Sequence, residues 1–521
     1  MLSRRDFTKA ALAAPLLARA QQAPGRARIK IDTERAISRI DPKLYGNFVE
    51  HLGRCVDGGV FQEGSKLSDA DGYRKDVMEA VKGLNVGLLR WPGGNFSSNY
   101  HWQDGIGPRD RRTPRLEMAW GRVENNRFGT HEFLKYAEML GTEPYICANL
   151  GTGTWEEAQQ WVEYCNSAED TAMTRLRKQN GRAEPWKVKY WGLGNEMDGP
   201  WQMGHRSAED YGKFSLEAAK LMKWTDPKIK LIAAGSSNFG PGIDWTAWNR
   251  TVLDHLRQHA DYLSIHMYVG NQNNDFAEFM ASSVDLDQRI KITEGVIDAA
   301  LAGQSRRIYI AWDEWNVWYR ARTGDAMNGH EQEAPHLLEE VYNLEDALLV
   351  GGIINTLVRN ADRIKIACLA QLVNVIAPIA TNAKGLLRQS IYYPYSWALQ
   401  WAHGNVLNVL VESPTYEVSD LGQVPYVDVA ATLSPEDGKV SLFMLNRDLT
   451  NSHTLEINWQ DRTPGKVLNS SVLTGNDLKA FNSFDAPQRV APQPADKIST
   501  SSGRTKLELP ARSYTVIQWS A

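Results

Sequence analysis

The 521-residue sequence lacks the motifs of several large enzyme classes. Its four cysteines form no CxxC pair and its 11 histidines form no HExxH motif, so no metal site is indicated. No GxGxxG follows the first predicted strand and no GxSxG occurs, which argues against a dinucleotide cofactor and against a serine hydrolase. The formal net charge of −4 gives no sign of a nucleic-acid partner. Beyond the N-terminus no apolar run reaches the ~18 residues of a membrane helix, so we expect no membrane partner.

The N-terminus has the pattern of a cleaved export signal. Residues 3–9 contain two consecutive arginines and resemble a twin-arginine motif, and a short apolar stretch and a small-x-small site at 18–20 follow. Residues 1–20 are therefore predicted to be a twin-arginine signal peptide, and the mature protein is predicted to be periplasmic or secreted. A disordered basic tail is the alternative. Cys147 and Cys368 lie in apolar, strand-like runs, which favours buried free thiols over disulfides.

Strand-like and helix-like segments alternate from residue 42 to residue 403. Alternation of this kind predicts βα units, and eight such units with long βα loops predict a closed (β/α)8 TIM barrel in this α/β region, residues 42–403. An open, doubly wound sheet is the alternative. The eight predicted strands lie near residues 44–50, 85–90, 143–149, 188–195, 230–236, 261–268, 307–314 and 366–375.

Residues 404–521 consist of short β-rich segments separated by Gly, Pro and Asp turns. This pattern is typical of an antiparallel β-sandwich. Residues 21–41 begin as a Gln/Pro/Gly linker and continue as a strand of alternating apolar and charged residues, without a helical partner. We therefore predict that this N-terminal strand completes the C-terminal β-sandwich.

Two strand-like runs that lie far apart in the chain each end in a glutamate. One run is followed by Asn195 and Glu196, and the other by Glu314. Because catalytic side chains of a parallel barrel collect at the C-terminal ends of its strands, the two glutamates are predicted to meet over one pocket. The 18 tryptophans slightly favour a carbohydrate ligand, with large core anchors as the alternative. Other predicted strand ends carry Glu50, His51, Arg90, Asn149, His266, Tyr268, Gln371 and Asn374, although polar residues also occur wherever a strand meets solvent.

A pair of carboxyl groups is what glycoside hydrolysis requires. One group protonates the leaving oxygen, and in a retaining enzyme the opposing carboxylate lies ~5–5.5 Å away. Glu196 and Glu314 are predicted to be this pair, with Tyr268 holding an oxygen of the nucleophile and a neutral His266 supporting either member. Asp313 precedes Glu314, so it is predicted to point to the other face of the strand, away from the barrel interior.

Three further polar residues are predicted to have supporting roles. Asn195 is suited to bind the 2-hydroxyl group of a sugar. Glu50, beside His51 and Arg54, is predicted to be charge-paired or bound to sugar hydroxyls. Asp198 lies in a turn beyond its strand and is predicted to be structural.

Six sequence blocks resemble glycoside hydrolase family 51, whose characteristic members are α-L-arabinofuranosidases: GNFVEHLGRC (46–55), RWPGGNF (90–96), CANLGTGT (147–154), WGLGNEMDGPW (191–201), DEWN (313–316) and AQLVNVIAP (370–378). The resemblance runs from about residue 28 to the C-terminus. It implies a retaining enzyme, often hexameric, that releases terminal arabinofuranose from arabinan, arabinoxylan or their oligosaccharides without a cofactor. By this resemblance Glu196 is the acid/base and Glu314 the nucleophile. The arabinose subsite is then lined by Glu50, Arg90, Asn95, Trp120, Asn195, His266, Tyr268 and Gln371.

Three features depart from the family pattern. Asp57 stands where an aromatic residue is usual, the loops 270–285 and 320–336 match no family pattern, and the twin-arginine leader is unlike many family members. Because these loops border the leaving-group side, the sequence does not predict the aglycone preference. The rival functions are an endo-β-glucanase or β-xylosidase on the same barrel and a non-catalytic carbohydrate-binding protein.

Overall fold

The computed structural model describes residues 25–322, 334–495 and 497–521. The predicted signal peptide and residues 21–24 lie outside the described residues, as do residues 323–333 of the loop 320–336. The strands are β1 (Arg26–Arg39), β2 (Gly46–Phe48), β3 (Leu88–Trp91), β4 (Arg115–Glu117), β5 (Arg122–Glu124), β6 (Glu143–Ala148), β7 (Tyr190–Leu193), β8 (Lys230–Ala233), β9 (Tyr262–Val269), β10 (Tyr309–Val317), β11 (Ile364–Leu369), β12 (Ile379–Asn382), β13 (Gly385–Arg388), β14 (Asn405–Glu412), β15 (Thr415–Val418), β16 (Gly422–Pro425), β17 (Val427–Ser434), β18 (Lys439–Asn446), β19 (His453–Trp459), β20 (Val467–Leu473), β21 (Ser499–Ser501), β22 (Arg504–Leu509) and β23 (Ser513–Ser520). The helices are α1 (Lys75–Leu84), α2 (Thr130–Leu140), α3 (Trp155–Asn166), α4 (Ala172–Gln179), α5 (Ala208–Thr225), α6 (Trp245–Leu256), α7 (Phe276–Ala300), α8 (Leu344–Arg359) and α9 (Tyr392–Trp401).

Eight parallel strands close into a barrel in the order β10-β11-β2-β3-β6-β7-β8-β9. Each of the eight predicted strands overlaps one of them, so the predicted TIM barrel is confirmed. All four residues of β3 and of β7 are buried. Burial on both faces is expected because one face of each strand fills the barrel and the other packs against the surrounding helices.

Side chains at the ends of two barrel loops fix where the next helix begins. The Thr154 hydroxyl accepts the N–H of Glu157 at 3.1 Å at the start of α3, and the Ser207 hydroxyl accepts the N–H of Asp210 at 3.1 Å at the start of α5. Each contact satisfies an N–H group that has no partner within its own helix. None of the helices in the described part of the chain combines the length and the apolar character needed to cross a membrane.

The C-terminal strands form a nine-stranded sheet in the order β20-β23-β18-β17-β14-β1-β19-β22-β21. The N-terminal strand β1 lies inside this sheet, as predicted, and pairs antiparallel with β14. Its other neighbour, β19, runs parallel to it. No tight turn connects β1 to either neighbour, so no hairpin constrains its direction. The predicted combination of barrel and β-sandwich is confirmed, with one parallel pair in a sheet that was expected to be antiparallel.

Helix α8 packs between the barrel and the sandwich. Residues 344–358 of this helix are all buried, which is typical of a helix with packing partners on every side. Asn355 donates to Asp428 of β17 at 2.8 Å and accepts from Tyr514 of β23 at 3.1 Å. A Cβ atom at Gly351 would lie 2.5 Å from the ring of Tyr514, so only glycine allows this approach. Side chains of both parts therefore share one continuous apolar core.

Candidate active site

A cavity of about 630 Å³ opens at the C-terminal ends of the barrel strands. Two of the predicted site residues, Arg90 and Asn195, lie beneath it and are each 1% exposed. The other eight line its wall: Glu50, Asn95, Trp120, Glu196, His266, Tyr268, Glu314 and Gln371. The ten side chains are therefore gathered at one mouth of the barrel.

Glu196 and Glu314 face each other across this cavity. A carboxylate oxygen of Glu196, one of Glu314 and a ring nitrogen of His266 all lie within 4.8 Å of one another. These three groups could also hold a metal ion by distance. Arg90 and Tyr268 already donate to the two oxygens of Glu314, and the positive charge of Arg90 disfavours a cation at this position.

Glu196 follows β7 in a strained turn. Its φ of 45° lies in the left-handed region, which costs a residue with a side chain ~1–3 kcal/mol. His266 Nδ1 lies 3.0 Å from one carboxylate oxygen, and the indole N–H of Trp201 donates to the other at 2.6 Å. Burial, and then the negative charge of Glu314, raise the pKa of Glu196 above its ordinary value, while the contact with His266 opposes the shift. The carboxyl group is thus suited to hold a proton.

Glu314 lies in β10 and is held from two sides. Arg90 of β3 donates to its Oε1 at 2.6 Å, and the Tyr268 hydroxyl donates to its Oε2 at 2.8 Å. The same guanidinium donates to the side-chain oxygen of Asn195 at 2.6 Å. Such charge-assisted contacts fix the orientation of the carboxylate.

Glu50 lies in the wall of the cavity. It accepts from the indole of Trp120 at 3.1 Å, from the amide of Gln371 at 3.0 Å and from the backbone N–H of Phe96 at 3.0 Å. A Cβ atom at Gly94 would lie 2.5 Å from its Oε2, so the glycine makes room for the carboxyl group. Burial, and then the charge of Glu314, raise the pKa of Glu50 to about 8, against these three donors.

Of the two roles predicted for Glu50, charge pairing with its sequence neighbours is wrong, and contact with sugar hydroxyls stays a prediction. Arg54 instead pairs with Glu339 at 2.7 Å, and His51 lies 3.0 Å from Glu124 in the core. The strand-end residues His51, Asn149 and Asn374 do not line the cavity either. Asn149 accepts the N–H groups of its own loop, and Asn374 donates to backbone and side-chain oxygens nearby. These three residues are structural.

The prediction for Asp313 is also wrong, because β10 contains a bulge. The four residues of β10 from Ala311 to Glu314 lie opposite the three residues of β9 from Ser264 to His266. The extra residue breaks the alternation of faces, so Asp313 and Glu314 both point into the barrel. Asp198, in contrast, is structural as predicted, since it accepts backbone N–H groups of the loop after β8.

The surroundings of His266 favour a protonated ring, whereas the sequence predicted a neutral one. Although burial opposes the shift, the charge of Glu314 and the contacts with Asp313 and Glu196 raise the pKa of His266 well above its ordinary value. The sequence does not reveal this, because the three carboxyl groups come from different strands or from a bulge.

Two tryptophans that the sequence analysis did not select line the cavity. Trp201 contacts Glu196 and is about half exposed. Trp318 packs edge-on against Tyr268, with ring centroids 5.2 Å apart. Each follows a proposed catalytic glutamate by four or five residues, which is the signal that would have identified them. All four cysteines are buried and free, which confirms the prediction made for Cys147 and Cys368.

Curated relatives match nearly the whole chain. An intracellular exo-α-(1→5)-L-arabinofuranosidase 1 from Bacillus subtilis (strain 168) is 42% identical over 498 residues, covering 95% of this chain and 99% of the relative. An exo-α-(1→6)-L-arabinofuranosidase from Bifidobacterium longum is 39% identical over 506 residues, covering 94% and 96%. The Bacillus protein and three further relatives, at 39–42% identity, are all named intracellular. These names contradict the predicted twin-arginine signal peptide and the periplasmic or secreted location, and we correct that prediction here.

Family models and solved structures give the same assignment. A model of the α-L-arabinofuranosidase 1 domain matches residues 80–289, and a model of the α-L-arabinofuranosidase C-terminal domain matches residues 313–513. A family 51 α-L-arabinofuranosidase from Bifidobacterium longum has a TM-score of 0.90 at 35% identity, covering 95% of this chain and 100% of that chain. The Thermotoga maritima enzyme in an arabinose complex has a TM-score of 0.85 at 37% identity, covering 94% and 99%. The chain belongs to glycoside hydrolase family 51 and is an α-L-arabinofuranosidase.

Proposed function

We propose that the protein is a retaining, exo-acting enzyme that releases terminal α-L-arabinofuranosyl residues from arabinan, arabinoxylan or their oligosaccharides. One observation carries the retaining mechanism: oxygens of Glu196 and Glu314 lie within 4.8 Å of each other. Retaining pairs are ~5–5.5 Å apart, whereas inverting pairs are ~6.5–9.5 Å apart because a water must fit between them. The exo action is supported by relatives whose names specify it.

In the first step, Glu314 attacks the anomeric carbon and Glu196 protonates the leaving oxygen. Arg90 and Tyr268 hold the two oxygens of Glu314, so the attacking lone pair is oriented before the substrate arrives. The bond to the aglycone breaks and an ester between the sugar and Glu314 forms. The raised pKa of Glu196 keeps the required proton in place.

In the second step, Glu196 acts as a base. Once Glu314 is an ester, its charge no longer raises the pKa of Glu196, while His266 still favours the carboxylate form. Glu196 can then take a proton from a water that attacks the anomeric carbon, which frees Glu314. Two successive inversions leave the released arabinose in the configuration of the substrate.

Polar groups along the wall are suited to hold the hydroxyl groups of the terminal sugar. Gln371 lines the cavity. Its side-chain oxygen is buried and has no hydrogen-bond partner among the described residues. Asn95 and Glu50 line the same wall. A buried polar atom without a partner is costly, so a ligand hydroxyl at Gln371 would recover a hydrogen bond.

The configuration of the first-formed product tests the mechanism. Proton NMR of an aryl α-L-arabinofuranoside reaction should show α-L-arabinofuranose first, before mutarotation. Initial formation of the β-anomer would refute the retaining mechanism. Parallel assays with aryl β-xyloside and carboxymethyl-cellulose test the rival activities, and sugar release from branched arabinan and arabinoxylan ranks the two polymers as substrates.

On the family resemblance alone, we also propose that the enzyme forms a homo-oligomer, with a hexamer as the expected state. Light scattering over a range of protein concentrations tests this, and a monomer throughout would refute it.

A further inference from the structure

Asp313 is a buried carboxylate beneath the proposed catalytic pair that the mechanism above does not use. It is 1% exposed. Its oxygens accept from the hydroxyls of Tyr145, at 2.6 Å, and of Ser264, and the Arg90 Nε atom lies 3.7 Å away. Burial of a charge is costly unless it is paired and hydrogen-bonded, so this donor set marks a site built for an ionised carboxylate. Although burial opposes the shift, Arg90 and His266 hold the pKa of Asp313 below its ordinary value.

His266 connects Asp313 to both glutamates. Its Nε2 atom lies 3.3 Å from Asp313, and its Nδ1 atom lies 3.0 Å from Glu196 and 3.7 Å from Glu314. Each ring nitrogen therefore faces a carboxyl oxygen. A neutral imidazole carries only one N–H and could make both contacts only if Glu196 donated its proton to Nδ1. The negative charges of Asp313 at Nε2 and of Glu314 near Nδ1 favour the imidazolium form instead.

The buried charges of the site balance when Glu196 carries a proton. Arg90 and His266 are positive, and Asp313 and Glu314 are negative. Ionisation of Glu196 in the free enzyme would add a third negative charge at low dielectric, whereas after Glu314 becomes an ester the same ionisation restores the balance. Five other titratable groups face this cluster, and each has a raised pKa and is neutral below about pH 8. They are Glu50, Tyr145, Cys147, Tyr268 and Cys368.

We propose that Asp313 is a positioning residue of this reaction, which fixes His266 as an imidazolium and through it orients Glu196 and limits the two glutamates to one shared proton. This inference rests on the proposed function. The role assigned to Asp313, the residue before the nucleophile, does not depend on contact with the substrate.

The variant Asp313→Asn tests the proposal because it keeps the shape of the side chain and removes its charge. His266 should then lose one proton and no longer lower the pKa of Glu196. We expect the alkaline limb of kcat/KM for phenyl α-L-arabinofuranoside to move up by at least about one pH unit. The acidic limb of kcat for the 2,4-dinitrophenyl substrate should also move up, because hydrolysis of the intermediate needs an ionised Glu196. At the optimum, kcat/KM should fall about 10–100-fold, a part of the ~10²–10⁴-fold that a positioned acid–base group supplies.

Asp198→Asn is the matched control. Asp198 also accepts hydrogen bonds beside this cavity, from the N–H groups of Ser237 at 2.7 Å and Asn238 at 2.9 Å. Within the described part of the chain, no hydrogen bond or ion pair joins Asp198 to His266. Its substitution should leave both pH limbs in place. In a His266→Asn background, Asp313→Asn should produce no further shift of either limb.

Unmoved limbs in folded Asp313→Asn, or a shift that persists without His266, would overturn the proposal. Should Asp313→Asn not fold, ¹⁵N NMR of the wild-type enzyme provides the test, with the His266 signals assigned by their loss in His266→Asn. Two protonated ring nitrogens from about pH 5 to 8 are expected, and a neutral ring in this range would overturn the proposal. Retention of configuration and the inactivity of Glu314→Ala test the proposed function separately, so it can hold while this inference fails.

Discussion

Glu196→Ala separates the two proposed chemical steps. The side chain is 11% exposed and contacts His266 and Trp201, and its carboxyl group lies within 4.8 Å of Glu314. Loss of a positioned acid costs ~10²–10⁴-fold, so kcat/KM for arabino-oligosaccharides, whose leaving alcohols need protonation, should fall by this factor. For a 2,4-dinitrophenyl leaving group, which needs no proton, kcat/KM should fall less than about tenfold. Hydrolysis of the intermediate loses its base in both cases, so kcat and KM should fall together.

Azide provides the second half of the experiment. The space left by the Glu196 carboxyl borders the ring of His266, whose pKa is raised, and the indole N–H of Trp201. A protonated ring and an N–H donor both favour a small anion there. Azide needs no base, so it should react with the intermediate in Glu196→Ala, raise kcat for the dinitrophenyl substrate and yield the α-arabinofuranosyl azide. In Glu314→Ala, azide should attack the opposite face and yield the β-azide.

The assay is a series of aryl α-L-arabinofuranosides in which log kcat/KM is plotted against the pKa of the leaving phenol. A steeper dependence in Glu196→Ala than in the wild type is expected. Equal losses for all leaving groups, with no azide product, would refute the role of Glu196. Formation of the β-azide by Glu196→Ala would show that the two glutamates have the opposite roles.

Three further predictions concern the site and the frame that holds it. Tyr268→Phe removes the hydroxyl that donates to Glu314 at 2.8 Å, so kcat/KM should fall about 10–100-fold while the thermal midpoint stays unchanged. Gly129→Ala would place a Cβ atom 1.9 Å from a backbone carbonyl oxygen, so it should lower the free energy of unfolding in urea by about 1–3 kcal/mol. The control is Gly83→Ala, in open space on α1, which should raise the free energy of unfolding by up to ~1 kcal/mol. Although burial opposes the shift, histidine and arginine partners lower the pKa of Glu124 to about 2. The ionised carboxylate therefore stabilises the fold above its ordinary pKa, and this contribution is lost as the pH falls. Glu124→Gln should be less stable than the wild type at pH 7 and should lose less stability than the wild type between about pH 5 and pH 2.

Much of the fold could be predicted from alternating strand-like and helix-like segments. That alternation depends on local chemistry, and each barrel strand begins and ends close to its apolar run. The direction of β1 relative to β19 could not be predicted, because it depends on sheet packing between segments more than 400 residues apart. The grouping of Glu196 with Glu314 could be predicted, since closure of the barrel brings all strand ends to one rim.

The parts of the site that sequence reasoning misjudged are those that depend on irregular backbone or on several charges at once. The position of Asp313 follows the bulge in β10, which strict alternation of faces does not anticipate. The charge of His266 follows from three carboxyl groups that only the folded barrel brings together. Neither property can be read from the residues next to it in the chain.

Both proposed catalytic glutamates lie at places where the backbone departs from regular structure. Glu196 has a φ of 45°, and Glu314 directly follows the extra residue of the bulge in β10. Such irregularity costs about 1–3 kcal/mol at a strained residue and persists only where surrounding contacts determine it. Here those contacts are the buried charges themselves, because Arg90 holds Glu314 and His266 holds Glu196. The bulge also turns Asp313 inward, so one local irregularity places the nucleophile and the anion that balances His266. We therefore expect the conformation of the two glutamates and the charge state of His266 to change together, and a variant that alters one without the other would contradict this coupling.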